Sequence, residues 1–324
     1  MTVGSALLTD ETLEQHRREL TAYCYRMLGS GSEAEDAVQE TMLRAWRHAA
    51  DFEGRSALRS WLYRIATNVC LDMHRSPQRR ARPMELGPPS PPDERLLGPQ
   101  LPEATWVSPI ADDRVLPVEA DPAEIAEVRD SVRLAFVTAL QHLPGRQRAA
   151  LILCDVLRWQ AAEAAELLDT TVAAVNSALQ RARGTLAALP PAARSDRVDA
   201  DNAALLAKYV AAFESYDISS LVELLHEDAI QSMPPFAMWL VGAENIGRWM
   251  VQPAPSGCRG SKLVPVTANG APAFAQYRPS PGGGYHAWAI QIIEITDGRI
   301  SAISSFLDVE RIFPTFGLPT QLAA

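Results

Sequence analysis

The sequence is poor in the features that mark secreted, metal-binding or membrane-bound chains. Its four cysteines, Cys24, Cys70, Cys154 and Cys258, lie far apart, with no CxxC pair and no Cys/His cluster. That spacing offers neither a zinc site nor a disulfide framework, so no metal is expected; no cofactor is expected either. No run approaches the roughly 18 consecutive apolar residues that a membrane helix needs. The opening stretch, MTVGSALLTDETLEQHRREL, lacks the basic start and long apolar core of a signal peptide. The expectation is a reduced, cytoplasmic protein with no membrane contact. Positive charge is also short: 30 Lys and Arg face 39 Asp and Glu, a net charge of -9. Proteins that coat nucleic acid by charge alone are usually basic. A DNA reader with this balance needs a local basic face, or a partner that supplies most phosphate contacts. What the chain does have is length and apolar content: 324 residues, 47% hydrophobic, enough for several domains with real cores.

Residues 158–186, RWQAAEAAELLDTTVAAVNSALQRARGTL, organise the reading. Ala161, Ala165 and Leu168 recur on one helical face. Asp169-Thr170-Thr171 breaks that pattern. Asp tolerates the left-handed conformation a tight turn needs, and either Thr can cap a following helix. Val172, Val175, Leu179, Ala182 and Leu186 then form a second apolar stripe, which puts Ala174, Ser177 and Arg181 on the opposite side. A helix entering a major groove needs small and polar residues of this kind, with Arg181 and Arg183 toward phosphate. An ordinary helical hairpin with a solvated face fits the stretch equally well.

Residues 9–76 read as a three-helix block. Thr9 or Asp10 can cap a helix that runs to Leu28, and Gly29-Ser30-Gly31 ends it. Ser32-Glu33-Ala34-Glu35 is a capping-box pattern that opens the second helix. Ala34, Val38, Ala45 and Trp46 make its buried side, while Asp36, Gln39, Glu40, Arg44 and Arg47 stay polar. A third helix follows a short turn at residues 52–56, with Leu58, Leu62, Ile65, Val69 and Met73 at helical spacing. Its other face carries Arg59, Arg64, Asn68 and Arg75, with Trp61 and Tyr63 among them. Aromatic, Arg and Asn side chains together suit unpaired bases, held by stacking and read at their edges.

Residues 77–121 hold ten of the chain's 24 prolines. Pro88-Pro89-Ser90-Pro91-Pro92 excludes helix and central strand. Leu96, Leu97, Leu101, Trp106, Val107 and Ile110 are too apolar for a freely solvated spacer, so part of the linker is expected to pack on a domain, with Trp106 anchored. Residues 199–324 change character along their length. Three helices are expected near 201–216, 218–225 and 242–251. Period-two strands follow near 270–277 and 285–295, then Asp297-Gly298 as a hairpin turn and a returning strand to Asp308. Helices followed by a curved antiparallel sheet describe an α+β cone.

AEDAVQETMLRAWR (residues 34–47), followed by FEGRSALRSWLYRIATNVCLD (residues 52–72), resembles domain 2 of the extracytoplasmic-function sigma factors of the sigma-70 family. LPGRQRAALILCDVLRWQAAEAAELLDTTVAAVNSALQRAR (residues 143–183) resembles their domain 4. The resemblance implies a factor that binds core RNA polymerase and directs it to promoter DNA. It implies that Asp36, Gln39, Glu40, Leu43 and Arg44 dock on the clamp helices of the largest polymerase subunit, and that domain 4 meets the flap. Phe52, Arg55 and Ser56 match the loop that pockets a flipped minus-ten base, and Trp61, Arg64 and Asn68 match the helix beside the melted strand. Asn176, Ser177, Gln180 and Arg181 match positions facing the minus-35 element, with Arg183 nearer phosphate. Many relatives carry a basic residue at the positions of Asn176 and Ala178. Their absence implies weak DNA binding by domain 4 alone.

YDISSLVELLHEDAIQSMPP, a Gly before a helix, and DGRISAISSFLD are similar to the SnoaL-like domain of the nuclear transport factor 2-like superfamily. That resemblance implies a pocket, with Asp228, Met233, Phe236, Trp239, His286 and Trp288 as candidate lining and His226 nearby, and a small hydrophobic ligand. The expected architecture is multidomain. Two all-α sigma domains (9–76, a helical bundle, and 122–189, a helix-turn-helix) flank the Pro-rich linker 77–121, and an α+β SnoaL-like cone spans 199–324. The expected function is a sigma factor, not an enzyme, whose cone regulates it in cis by contact with the sigma domains. The alternatives are an isomerase- or cyclase-type enzyme, with Asp228 or a histidine as base, fused to a DNA-targeting module, and a helix-turn-helix repressor that never meets polymerase.

Overall fold

The computed structural model describes residues 10–49, 52, 57–73, 79–189, 200–253 and 257–323. They form two compact units, one within Met1–Arg80 and Asp112–Pro191, the other within Ala81–Ala111 and Ala192–Ala324.

The first unit opens with α1 (Asp10–Leu28), α2 (Gly31–Arg47) and α3 (Leu58–Met73). Gly29 makes the α1–α2 turn at φ +73°, and a Cβ there would meet the Gln141 side chain at 3.1 Å. The helix cap is Ser30, two residues before the serine that the sequence pattern selects; its Oγ accepts from the Glu33 backbone N–H at 3.4 Å. Leu20, Tyr23, Cys24 and Met27 of α1 meet Ala34, Val38 and Ala45 of α2 and Leu62, Ala66, Val69 and Cys70 of α3 in a closed core. Tyr63 also belongs to this core, not to the polar face of α3. Its ring packs edge-on against Tyr23 at 5.1 Å, and its hydroxyl donates to Glu19 at 3.2 Å. Met73, the last residue of the expected stripe, is 40% exposed. Trp46 is 66% exposed, not buried. One step of about 100° beyond Ala45 carries it past the core side, onto the face of Leu43 and Gln39.

The same unit continues with α4 (Asp112–Val115), α5 (Pro122–Val132), α6 (Leu134–Leu140) and α7 (Gly145–Leu151), which runs on as a π-helical turn over Ile152–Val156. Then come α8 (Ala161–Leu167) and α9 (Val172–Ala187). Asp169 takes φ +49° in the turn between α8 and α9. The Thr171 hydroxyl caps α9 by accepting from the Ala174 N–H at 3.2 Å. Val175, Leu179 and Ala182 are the buried stripe of α9, while Val172 in its first turn is exposed. Two buried arginines tie these helices to α1. Arg148 donates to the Met27 carbonyl, to Gln141 Oε1 at 2.7 Å and to the Leu143 carbonyl at 3.0 Å. Arg26 donates to Ser131 Oγ at 2.6 Å. Burial lowers the pKa of both to about 10, because a cation loses hydration that neutral acceptors replace only in part.

The second unit holds α10 (Ala200–Ser215), α11 (Ile218–Glu223), α12 (Ala243–Met250) and α13 (Val309–Thr315) around one sheet. Its strands are β1 (Leu225–Ser232), β2 (Trp239–Val241), β3 (Lys262–Ala268), β4 (Ala271–Pro279), β5 (Tyr285–Thr296), β6 (Arg299–Phe306) and β7 (Gln321–Leu322). The order is β2-β1-β6-β5-β4-β3, with β7 added on β5. The sheet is not wholly antiparallel, since β1 runs parallel to β6. Leu225 starts a strand instead of ending a helix: it is buried, and its pairing with Ile300 of β6 outweighs the helical pattern before it. Tyr209, Phe213, Leu221, Leu240, Ile246, Trp249, Phe274, Ile293 and Ile303 fill the core between helices and sheet. Gly247 lets α12 lie against α11; a Cβ there would meet Val222 at 2.7 Å.

Residues 81–111, expected to be linker, belong to this second unit, whereas Asp112–Val115 belongs to the first. Prolines hold the segment to short 3₁₀ turns at Pro83–Glu85, Glu94–Leu96 and Glu103–Thr105, so several of its other backbone groups pair with the cone instead. The Ser90 N–H donates to the Trp239 carbonyl at 2.8 Å, and the Leu101 N–H to the Pro235 carbonyl at 2.9 Å. The Trp239 indole donates to the Gly87 carbonyl at 2.9 Å. Farther on, Ile110 N–H donates to Asn269 Oδ1 at 3.1 Å, and Glu103 lies 3.4 Å from Arg311. Ala81 and Trp106 form a parallel bridge, and Trp106, Val107 and Ile110 are buried.

Candidate polymerase, promoter and ligand sites

On α2, Asp36, Gln39 and Leu43 are exposed, and Glu40 and Arg44 are half-buried. Helical geometry gathers all five on the side opposite Ala34, Val38 and Ala45. Arg44 pairs with Glu40 at 2.7 Å and reaches Asp72 at 3.6 Å. Leu43 (48% exposed) and Trp46 (66%) are large apolar side chains open to solvent beside this charged row. Trp46 therefore joins the surface that sequence reasoning assigned without it; its three-residue step from Leu43 was the available signal.

Trp61, Arg64 and Asn68 follow one another at three and four residues on α3, so they share a face; Trp61 is half-buried, the other two exposed. Phe52 is buried, its ring 5.2 Å from that of Trp61. Arg55 and Ser56 lie outside the described residues. Helix α8 and the turn before it cover this face in part. Arg64 donates to the Glu166 carbonyl at 3.3 Å, and lies 3.6 Å from its carboxylate. The Trp159 ring sits 5.2 Å from that of Tyr63, and the Arg59 guanidinium lies 5.5 Å from the Trp159 ring centre. Burial pulls the Arg59 pKa down, but Tyr63 and Glu19 outweigh it and leave the pKa raised. Sequence reasoning did not assign Trp159 or Glu166 to any surface.

On α9, Asn176, Gln180, Arg181 and Arg183 are exposed and Ser177 is half-buried. Ser177 and Arg181 are joined, the guanidinium donating to the hydroxyl at 2.6 Å. Arg183 is engaged differently: it donates to both oxygens of Asp155, at 2.6 and 2.9 Å. That bond raises its pKa. The four outward residues near Arg181 present donors and acceptors on a helix capped at its start, the form a major groove accepts.

The cone contains a cavity of about 430 Å³. Met233, Phe236, His286 and Trp288 line it; Asp228 and Trp239 do not. Asp228 is exposed, because β1 turns alternate side chains outward and Gln231 takes the inward position. Trp239 is turned toward the linker by its bond to Gly87. Beside His286, the polar lining comes from residues that the sequence did not single out, among them Gln231, Gln276, Gln291 and Arg278, and a hydrogen-bonded chain runs from it into the core. Tyr209 donates to Gln291 at 2.8 Å, Gln291 to Gln276 at 2.8 Å, and Gln276 to Ser261 at 3.1 Å. Arg278 stands opposite His286 across β4–β5, and its guanidinium lies 3.4 Å from the Trp288 ring centre.

Comparison with known proteins follows the same divisions. Residues 12–80 match Sigma-70 region 2, residues 133–194 match Sigma-70 region 4, and residues 206–303 match the SnoaL-like domain. The ECF RNA polymerase sigma factor SigG of Mycobacterium tuberculosis is 46% identical over 315 residues, 95% of this chain and 83% of its own. SigJ of the same organism is 29% identical over 304 residues, 90% of this chain and 88% of its own. The crystal structure of SigJ superposes with a TM-score of 0.57 at 23% identity, over 96% of this chain and 98% of that one. Such a likeness extends the shared fold from the helical domains through the cone. With both sigma regions in order and nearly half its residues shared with SigG along almost the whole chain, the protein belongs to the extracytoplasmic-function RNA polymerase sigma factors.

Proposed function

We propose that this sigma factor is held in a closed form by its own parts and released for initiation when the linker leaves the cone. It pairs with core RNA polymerase as its family does, docking through the Asp36–Arg44 row together with Trp46 and meeting the flap through domain 4. Trp61, Arg64 and Asn68, with the 52–56 loop, serve the minus-ten strand, and Asn176, Ser177, Gln180 and Arg181 serve the minus-35 element. The observation that carries the regulatory reading is the seating of residues 81–111 along the cone by backbone hydrogen bonds. A linker so held is unavailable for an extended arrangement of domains 2 and 4. Glu166 on Arg64 supports the same reading, since it occupies part of the face assigned to the melted strand, and Trp159 holds the same turn against Tyr63 on the neighbouring side of α3. Conformational bias of this kind needs only a few kcal/mol between states.

The cone serves as a ligand-sensing element instead of an enzyme. Its cavity is lined by no Asp or Glu among the described residues, and Asp228 faces away; of the candidate bases, His286 alone lines it, tied at Nδ1 to Ser280 at 3.2 Å. Transcription in vitro tests the whole. A chain ending at Leu189 is expected to differ in promoter-directed activity from the full chain; equal activity on every promoter would remove the cis-regulation. Arg181→Ala is expected to lower promoter-directed transcription while core binding stays intact. Loss of core binding in that variant would mean that α9 is structural.

A further inference from the structure

The cone's cavity is apolar in most of its lining, yet it carries two unmet polar demands. Gln231 is 93% buried and its Oε1 has no hydrogen-bond partner among the described residues. Arg278 has a buried Nε–H that is likewise unpartnered. Its Nη2 donates to the Cys258 sulfur at 3.0 Å, a weak acceptor. Among the described residues, no Asp or Glu lines the cavity. A guanidinium facing an apolar cavity without a carboxylate is costly to keep, unless an anion completes it. At about 430 Å³ the cavity also falls within the usual range for small-molecule sites, about 300–1,000 Å³.

We propose that this cavity binds a small apolar acid: a compact aromatic or alicyclic body carrying one anionic group held by Arg278, and a donor such as a hydroxyl that meets Gln231. The proposal rests on the ligand-sensing reading of the cone. The body packs among Phe213, Met233, Trp249 and Trp288, and the acid lies where Arg278 is stacked on Trp288. The linker completes the wall. Leu97 and Gln100 both line the cavity, and Gln100 bridges to Phe236. An occupant therefore touches the same segment whose release the closed form controls.

The test uses the full chain and two fluorescent probes with the same body, 1-anilinonaphthalene-8-sulfonate, an anion, and N-phenyl-1-naphthylamine, which is neutral. The sulfonate is expected to bind. Arg278→Gln should weaken it about tenfold or more, the size of a lost charge-assisted pair, while Arg278→Lys keeps most of the affinity and the neutral probe responds to neither change. Ala287→Trp, which fills the cavity, should abolish binding of both probes. Bound sulfonate should also slow amide exchange in residues 97–101. Equal affinity for both probes, unchanged by Arg278→Gln, would overturn the acid while leaving an apolar ligand site. Binding that survives Ala287→Trp, or exchange in 97–101 that does not slow, would overturn the placement against the linker. Failure of both probes to bind would overturn the ligand-sensing reading itself; the Leu189 truncation still judges cis-regulation independently.

Discussion

Trp159→Ala is the sharpest probe of the closed form. The side chain meets the Tyr63 ring at 5.2 Å and the Arg59 guanidinium at 5.5 Å. An aromatic pair contributes about 0.5–1.5 kcal/mol beyond its buried area. A partly exposed cation–π contact contributes about 0.5–1 kcal/mol. Against this, the Trp159 indole N–H is buried without a partner among the described residues, which costs about 1–3 kcal/mol, so part of the gain is offset. Partial burial of the half-exposed ring adds on the order of 1–2 kcal/mol, so the net effect of removal is about 1 kcal/mol in favour of the open form, a shift of roughly fivefold. A factor that binds core polymerase only when open gains apparent affinity in the same proportion, as long as the closed form dominates. Titration of labelled core with the full chain measures this directly, and amide exchange in α3 reports the uncovering of Tyr63. Unchanged core affinity together with unchanged exchange in α3, in a variant whose α7–α9 helices remain folded, would refute the argument that this contact restrains the factor.

Two further outcomes follow from the first unit. Arg148→Ala leaves the Met27 and Leu143 carbonyls and Gln141 without this buried donor and removes its packed side chain; a loss of about 2–4 kcal/mol in denaturant unfolding is expected, and a loss below about 1 kcal/mol would contradict its structural role. Arg148→Met, which keeps volume and removes a desolvated charge, should cost less than Arg148→Ala. Glu19 contributes to the acid limit. Burial raises its carboxyl pKa, but hydrogen bonds and charge from His16 and Arg59 outweigh that and leave it below the usual 4.5. Its folded pKa being the lower one, its contribution is fully present above pH 4.5 and is lost as pH falls through the folded value. Acid unfolding should show this step, and Glu19→Gln should remove it; an unchanged acid profile would assign the step elsewhere.

The helices of the sigma domains were legible because each signal was local. The Asp169 turn and the apolar stripes at Val175, Leu179 and Ala182 depend on neighbours within a few residues. The misplacements arose where burial comes from distant chain. Tyr63 is inside because Tyr23 and Glu19 receive it, and Trp46 is outside because a 17-residue helix turns it past the core. The cavity was harder still. Met233, Phe236, His286 and Trp288 could be named from residue type, but Gln231, Gln276, Gln291 and Arg278 converge only through strand pairing. Glutamines on strands carry no signal of their own in one sequence. Asp228 carried a strong chemical signal and the wrong strand parity.

The bridge between Ala81 and Trp106 closes the linker on itself. While it holds, residues 82–105 add nothing to the distance between domain 2 and domain 4, and the path joining them is short. Fully extended, residues 81–111 could span on the order of 100 Å. Opening the pair of backbone hydrogen bonds, Ala81 N–H to Thr105 and Val107 N–H to Ala81, together with the contacts that seat residues 87–101 on the cone, therefore changes the tether itself. The local concentration of domain 4 around domain 2 falls as the tether lengthens. The linker acts as a buckle on a strap, setting how much chain joins domain 2 to domain 4.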